Sequence, residues 1–210
     1  MASKLFICDV FRQGIMNGMF DLDGDTINVA LVTSSQTSSY TAWAASTAYS
    51  LGDIRVPNAT RNGLRYRCTV AGTSAASEPT WPTTDGGTVS DGTATWEEYG
   101  GDLADVDVWA DVSGNEVATG DGYTTGGTAL GSLAVTHAGN EGVWDAADVT
   151  WTALTKTMLY AFFYASKTFG TYINPVIGYI LLDTTMIAVS VSGVDFTITF
   201  SASGILKLNW

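Results

Sequence analysis

Two runs near the C-terminal end, Met158-Leu159-Tyr160-Ala161-Phe162-Phe163-Tyr164 and Val176-Ile177-Gly178-Tyr179-Ile180-Leu181-Leu182, carry no strongly polar side chain at any position. A segment this short with no polar face must be covered on both sides. That suits a central β-strand better than a surface helix, although a short buried helix shares the pattern. Around them, strict alternation marks strands with one buried face: Asp25–Val32, Asp148–Leu154 and Val194–Phe200. Ile187–Val191 and Gly204–Leu208 read as two shorter strands. One short helix fits, within Leu5–Gly18, where Phe6, Val10, Phe11 and Met16 nearly share a face. The expected fold class is all-β, with a β-sandwich or barrel-like main domain of about seven to nine strands.

The composition permits such a core, since 46% of the 210 residues are hydrophobic and 14% charged. Disorder needs the opposite balance, and a spanning helix needs roughly 20 apolar residues in a row, which the sequence lacks. The formal charge of −12 argues against nucleic acid, whose phosphates demand cations, and no membrane insertion is expected. Fourteen of the 21 acids fall between Cys68 and Thr155, where there is no Lys or Arg, so the middle of the chain reads as an acidic face. A surface poor in Lys and rich in Ser, Thr, Gly and Asn is common in extracellular and particle-surface β proteins. The first eleven residues hold no signal-length apolar stretch, so a secretion signal is not expected there. Cys8 and Cys68 each sit in an apolar strand-like run and read as small buried hydrophobes.

Composition shifts sharply between Tyr40 and Tyr99, which hold three of the four prolines, four of the nine basic residues and three of the seven tryptophans. The flanks Thr33–Ser39 and Gly100-Gly101 have flexible-linker composition. The expected organisation is a discontinuous main β domain, residues 1–40 and 101–210, interrupted by a small β module at 41–100. An insertion in an exposed loop is tolerated because closure entropy grows slowly with length.

Within the insert, Trp43 through the Gly52-Asp53 turn to Val56, then Gly63-Leu64-Arg65-Tyr66-Arg67-Cys68, Pro79-Thr80-Trp81-Pro82 and Asp91-Gly92-Thr93-Ala94-Thr95-Trp96, resemble the small chitin-binding-like modules of bacterial glycosidases. Similar modules occur in tailed-phage structural proteins. The resemblance implies a three-stranded, loop-rich fold that binds carbohydrate. Pyranose rings stack their C–H faces on flat aromatics, which makes Trp43, Tyr49, Tyr66, Trp81 and Trp96 the candidate carbohydrate-binding residues. The competing reading is that so small a domain spends its aromatics on its core, and Tyr49, Tyr66 and Trp96 lie in strand-like contexts that favour it. Trp81, held between Pro79 and Pro82 on a stiff segment, is the candidate for an exposed platform.

The remainder resembles a family of small phage virion proteins. The resemblance rests on Lys4–Gly18, Ile27–Val32, Asp107–Val117, the turn Gly120–Gly127, Asp145–Trp151 and Phe196–Leu208. It implies a capsid decoration (cement) or head-fibre protein at the virion surface, made in the host bacterial cytoplasm. The partners it implies are the major capsid protein or other virion proteins, sister copies in a homo-oligomer, and surface glycans contacted weakly by a displayed module. A tail-fibre receptor-binding protein and the accessory module of a carbohydrate-active enzyme are the alternatives.

No enzymatic chemistry and no cofactor are expected. His137 is the only histidine and reads as an exposed loop residue, and the sequence has neither a nucleophile elbow nor a phosphate loop. Carboxylate pairs such as Glu97-Glu98 and Asp145/Asp148 have the composition of a glycosidase pair, but 21 acids produce such pairs by chance. Asp21, Asp23 and Asp25 form a weak candidate for a hard cation. Counted from Asp21, the Gly and Glu positions of a calcium loop are Thr26 and Val32, so that motif fails, and a turn feeding the Ile27 strand explains the same residues. Tyr123, among the glycines of Gly120–Gly127, is expected to anchor a turn. Trp210 closes the chain with no polar tail and is a candidate assembly contact or core residue.

Overall fold

The computed structural model describes residues 4–209, and Trp210 lies outside them. The protein is all-β apart from one eight-residue α-helix and two 3-10 turns among the described residues. It divides into two compact units. One comprises the chain up to Gln36, Val106–Asp183 and the chain from Ile187 on; the other is Thr37–Asp105 with Thr184–Met186.

The first unit is organised by a five-stranded antiparallel sheet in the order Leu5–Ile7, Val176–Leu181, Tyr160–Ala165, Ile27–Val32, Thr128–Ala129. Every residue of Tyr160–Ala165 and of Val176–Leu181 is buried, as their two apolar faces require. One face of this sheet presents Ile27, Val29, Leu31, Ala161, Phe163, Ala165, Ile177 and Ile180. It packs against Trp144, Val149, Trp151, Leu154, Met158 and Ile198, which come from a three-stranded sheet and a long two-stranded ladder. A sheet facing two smaller ones across one apolar layer makes a sandwich. The three-stranded sheet runs Ala134–Ala138, Glu141–Asp145, Leu206–Asn209, and the ladder pairs Val149–Met158 with Val189–Ile198. With nine strands of three or more residues and three two-residue segments among its described residues, this unit holds more strand segments than the sequence pattern marks.

The opposite face of the five-stranded sheet carries an aromatic row. Phe6, Tyr179 and Phe162 lie directly across from one another, with ring centroids 5.4 and 5.2 Å apart. The segment 106–117 crosses this sheet. Val176 N–H donates to Asp107 C=O, Trp109 N–H to Asn174 C=O and Thr33 N–H to Asn115 C=O, while Trp109 stacks on Tyr164 at 4.8 Å with planes 10° apart.

The helix, Asp9–Met16, differs from the expected face. Phe6 belongs to the preceding strand and Met16 is 86% exposed; the buried stripe is Val10, Phe11 and Gly14. Gly14 is there because the Phe20 ring occupies the space of a side chain, 2.6 Å from where a Cβ would stand. Gly18, at φ +68°, ends the helix, with Met19 N–H bonding back to Gly14 C=O at 2.8 Å.

Ile187–Val191 and Val194–Phe200 are not separate strands. They merge into Val189–Ile198, because Gly193 at φ +66° is absorbed where the ladder register slips between Leu154 and Lys156. His137 sits on a strand, Ala134–Ala138, and not in a loop; it is exposed as expected.

The second unit has a four-stranded antiparallel sheet, ordered Ile54–Arg55, Leu64–Val70, Ala94–Gly101, Thr88–Asp91, and a short pair, Ala48–Tyr49 with Gly72–Thr73. The Thr88–Asp91/Ala94–Gly101 hairpin carries it beyond the three strands implied by the resemblance. Neither presumed linker is loose. Gly100-Gly101 is the bulged end of a strand, paired through Gly101 to Leu64, and Asp102, Leu103 and Ala104 after it are fully buried. In the Ser/Thr-rich flank, Gln36 is buried and accepts from Asn115 Nδ2 at 2.8 Å, and Ser39 donates through N–H and Oγ to Asp105. Those short polar side chains serve as local hydrogen-bonding groups, so composition alone misjudges their order.

Candidate functional site

Alternation along Leu64–Val70 turns Leu64, Tyr66 and Cys68 to one face of the module sheet and Arg65, Arg67 and Thr69 to the other. The inner face collects the aromatics. Trp96, from the neighbouring strand, meets Tyr49 edge-on at 4.8 Å, and Tyr66 lies against Trp81 with centroids 4.3 Å apart. Trp81 also meets Trp96 edge-on at 5.9 Å.

At the centre of this cluster is Asp91, 2% exposed. Its Oδ2 accepts both Trp43 Nε1 (2.7 Å) and Trp96 Nε1 (3.0 Å), and its Oδ1 accepts Ala75 N–H (2.8 Å). An ionised carboxylate can be buried only if hydrogen bonds replace its water, and three N–H donors do so here. The sequence shows Asp91 as half of an Asp-Gly turn, which it also is. That its carboxylate joins two indoles, one 48 residues away, is a tertiary fact with no local signature.

These contacts correct the candidate list. Trp43, Tyr49, Tyr66 and Trp96 are all between 0 and 5% exposed, so none presents a ring face to a ligand; they are the module's core. Tyr49 OH is tied to the backbone of Ala44, and Tyr66 OH donates to Pro82 C=O while accepting from Asn62 Nδ2. Burial pushes the Tyr66 phenol up to about 12, against a smaller opposing effect of the Asn62 hydrogen bond. Trp81 is the half-buried one. One ring face rests on Tyr66, and its Nε1 donates to Glu78 Oε1 at 2.8 Å. Glu78 is itself fixed by Asn58 N–H and Ala59 N–H, so the indole plane is held from both ends.

The outer face carries a cation–π stack absent from the sequence reading. Arg65, fully buried, lies over Tyr40 and Tyr99 at 5.1 Å each, and Arg67 lies over the same Tyr99 at 4.3 Å while bonding Glu97 at 2.8 Å. Beside it an open depression of about 330 Å³ is lined by Leu51, Gly52, Arg67, Cys68 and Thr69. The Cys68 thiol is buried, donates to Val70 C=O and is pushed up chiefly by burial; Cys8 is likewise buried, and neither cysteine forms a disulfide.

The carboxylate pairs part company. Glu97 faces Arg67, whereas Glu98, one residue on and turned to the other face, is buried and takes Gly86 N–H and Gly100 N–H. Asp148 accepts Phe200 N–H. In the acidic cluster, Asp25 accepts Asp21 N–H and pairs with Lys167 Nζ at 2.6 Å, while Asp21 accepts Gly24 N–H. These are the bonds of a closed turn, with Asp23 exposed on it. Among the described residues no group of three or more His, Cys, Asp or Glu side chains is placed to hold a metal ion.

Tyr123 anchors its turn as expected, through more than its ring. Asp121 (φ +50°) and Gly122 (φ +83°) close a two-residue hairpin in which Gly120 and Tyr123 exchange backbone hydrogen bonds. Tyr123 OH donates to Glu116 at 2.6 Å and accepts Leu31 N–H, and burial with the adjacent Glu116 carboxylate raises its phenol far above the ordinary tyrosine value. No family model, no curated protein and no solved structure matches this chain.

Proposed function

We propose that this chain is a structural protein of a tailed-phage particle, displayed at the particle surface as a capsid decoration or head-fibre component. It acts by binding rather than by catalysis. The observation that carries this reading is that the insert Thr37–Asp105 closes on a core of its own, centred on Asp91, and leaves one tryptophan half-buried on a braced segment. A binding module set into a loop of a β-sandwich needs that self-sufficiency. The sparse Lys and Arg, the acidic middle of the chain and the resemblance of its segments to virion proteins support the same reading. In this reading the main unit contacts capsid subunits or sister copies, and symmetry multiplies a modest single-copy affinity. The module adds weak glycan contacts through Trp81, at a single-site affinity of order millimolar. Mass spectrometry of purified particles, followed by immuno-electron microscopy, tests it. The protein is expected at constant stoichiometry on the particle, and its absence from washed particles would overturn the proposal.

A further inference from the structure

We propose that the strand Val189–Ile198 is the contact through which two copies of this chain associate, each strand pairing antiparallel with its own copy about Val194. The five-stranded sheet ends on strands of three and two residues, too short to recruit a partner. In the long ladder, the outer side of Val149–Met158 is met by the Asp121 turn: Thr155 N–H donates to Asp121 C=O, and Lys156 pairs with the Asp121 carboxylate. Val189–Ile198 is ten residues long and, among the described residues, pairs with that one strand alone. Natural edges of this length are blunted with Lys, Pro or inward charge. This one has no Lys and no Pro; the devices it carries are the single bulge at Gly193 and a single charge, Asp195, which is turned to Ala153 N–H at 3.0 Å. Val194 is 53% exposed although it stands opposite fully buried Leu154.

The order of residues selects the occupant. A two-fold axis normal to an antiparallel sheet sets one residue opposite itself and keeps each side chain on its own face. With Gly193 taken up as the extra residue of the register slip, Val189, Val191, Phe196 and Ile198 turn to the core, Val194 keeps their face opposite Leu154 but stands exposed, and Ser190, Ser192, Asp195 and Thr197 turn to the other face. Turned about Val194, the strand then pairs Val189 with Ile198, Ser190 with Thr197, Val191 with Phe196 and Ser192 with Asp195. Apolar meets apolar, hydroxyl meets hydroxyl, and the lone carboxylate meets a serine donor instead of its own image. Charge points the same way. Two chains of −12 repel at range, and this nearly neutral edge is where a like-charged copy can approach, so association tightens as salt screens the rest.

Sedimentation velocity on the full chain over a concentration series, at low and high salt, tests this. The expected result is a monomer–dimer equilibrium strengthened by salt and weakened about tenfold or more by Val194→Lys, which sets two ammonium groups face to face. Val135→Lys, at a similarly exposed apolar site on another strand, leaves it unchanged. If Val194→Lys does not fold, amide hydrogen exchange of the unaltered chain decides, since residues 189–198 gain protection with concentration. A monomer at ~1 mM in high salt, a dimer indifferent to Val194→Lys, or concentration-dependent protection confined elsewhere overturns the inference. The contact deepens the sister-copy part of the proposed function yet stands apart from it. A chain that dimerises but is missing from particles refutes that reading and keeps this one.

Discussion

Replacing Asp91 by Ala should unfold the module. The carboxylate accepts three buried donors, Trp43 Nε1, Trp96 Nε1 and Ala75 N–H, at 2.7, 3.0 and 2.8 Å. Each donor left without an acceptor costs about 1–3 kcal/mol, so the truncation removes roughly 3–9 kcal/mol, toward the lower end if water enters the vacated space. A unit of this length has a total stability of roughly 3–10 kcal/mol at ordinary values per residue, so the loss is comparable with the whole. Asp91→Asn separates the acceptor from the charge. An amide oxygen in the place of Oδ2 keeps both indoles, while the NH2 group opposes Ala75 N–H, for a loss nearer 2 kcal/mol. Hydrogen exchange read peptide by peptide assigns the loss to the unit that suffers it. The expected pattern is lost protection across Leu64–Val70 and Ala94–Gly101 in Asp91→Ala, and partial loss in Asp91→Asn. A loss below about 1 kcal/mol in Asp91→Ala would refute the view that this carboxylate organises the aromatic core.

Tyr66 ties the module to alkaline pH. Its phenol is raised from 10.0 to about 12 in the folded chain, so its contribution is complete below pH 10 and is lost as pH rises from 10 through about 12; Tyr66→Phe should flatten that dependence in urea titrations. Gly127, at φ +75°, has Val29 C=O 2.1 Å from the place of a Cβ, and Gly127→Ala should cost the sandwich unit about 2–4 kcal/mol by chemical denaturation. Leu154→Ala, at a fully buried site in the long ladder, should cost about 2–5 kcal/mol in the same assay, and a smaller effect would mean that the site collapses around the gap. Trp81→Ala should leave the module folded while reducing retention of multivalent particles on a glycan surface. Unfolding would make Trp81 core, and unchanged retention would remove it as a glycan contact.

The central strands are legible because burial on both faces leaves no polar position, as at Tyr160–Ala165 and Val176–Leu181. Alternation likewise marks Val149–Leu154 and Val194–Ile198, but it breaks at Gly193, where a bulge joins what pattern alone divides. Gly100-Gly101 misleads in the opposite sense, since glycine in a bulged strand and glycine in a linker have the same composition. The aromatic residues of the module are visible in sequence, but their roles are not. Whether a Trp is platform or core depends on what accepts its N–H, and for Trp43 and Trp96 that acceptor lies across the fold. Arg65 is the clearest omission. An alternating strand in a small module gives no hint that its cation is sandwiched between two tyrosines.

The order of strands in the large sheet also sets a timetable for synthesis. Leu5–Ile7 and Ile27–Val32 leave the ribosome first, yet they pair with Val176–Leu181 and Tyr160–Ala165, which are among the later segments made. At ordinary elongation rates of about 5–20 residues per second, the early strands wait on the order of 10 s for their partners. All the pairings of the Thr37–Asp105 sheets, by contrast, fall within that segment and are complete well before Tyr160 emerges. The nascent chain therefore carries an insert whose sheets are complete while an apolar strand, Ile27–Val32, stays open, and chaperone occupancy in that interval would be expected on the strand more than on the insert.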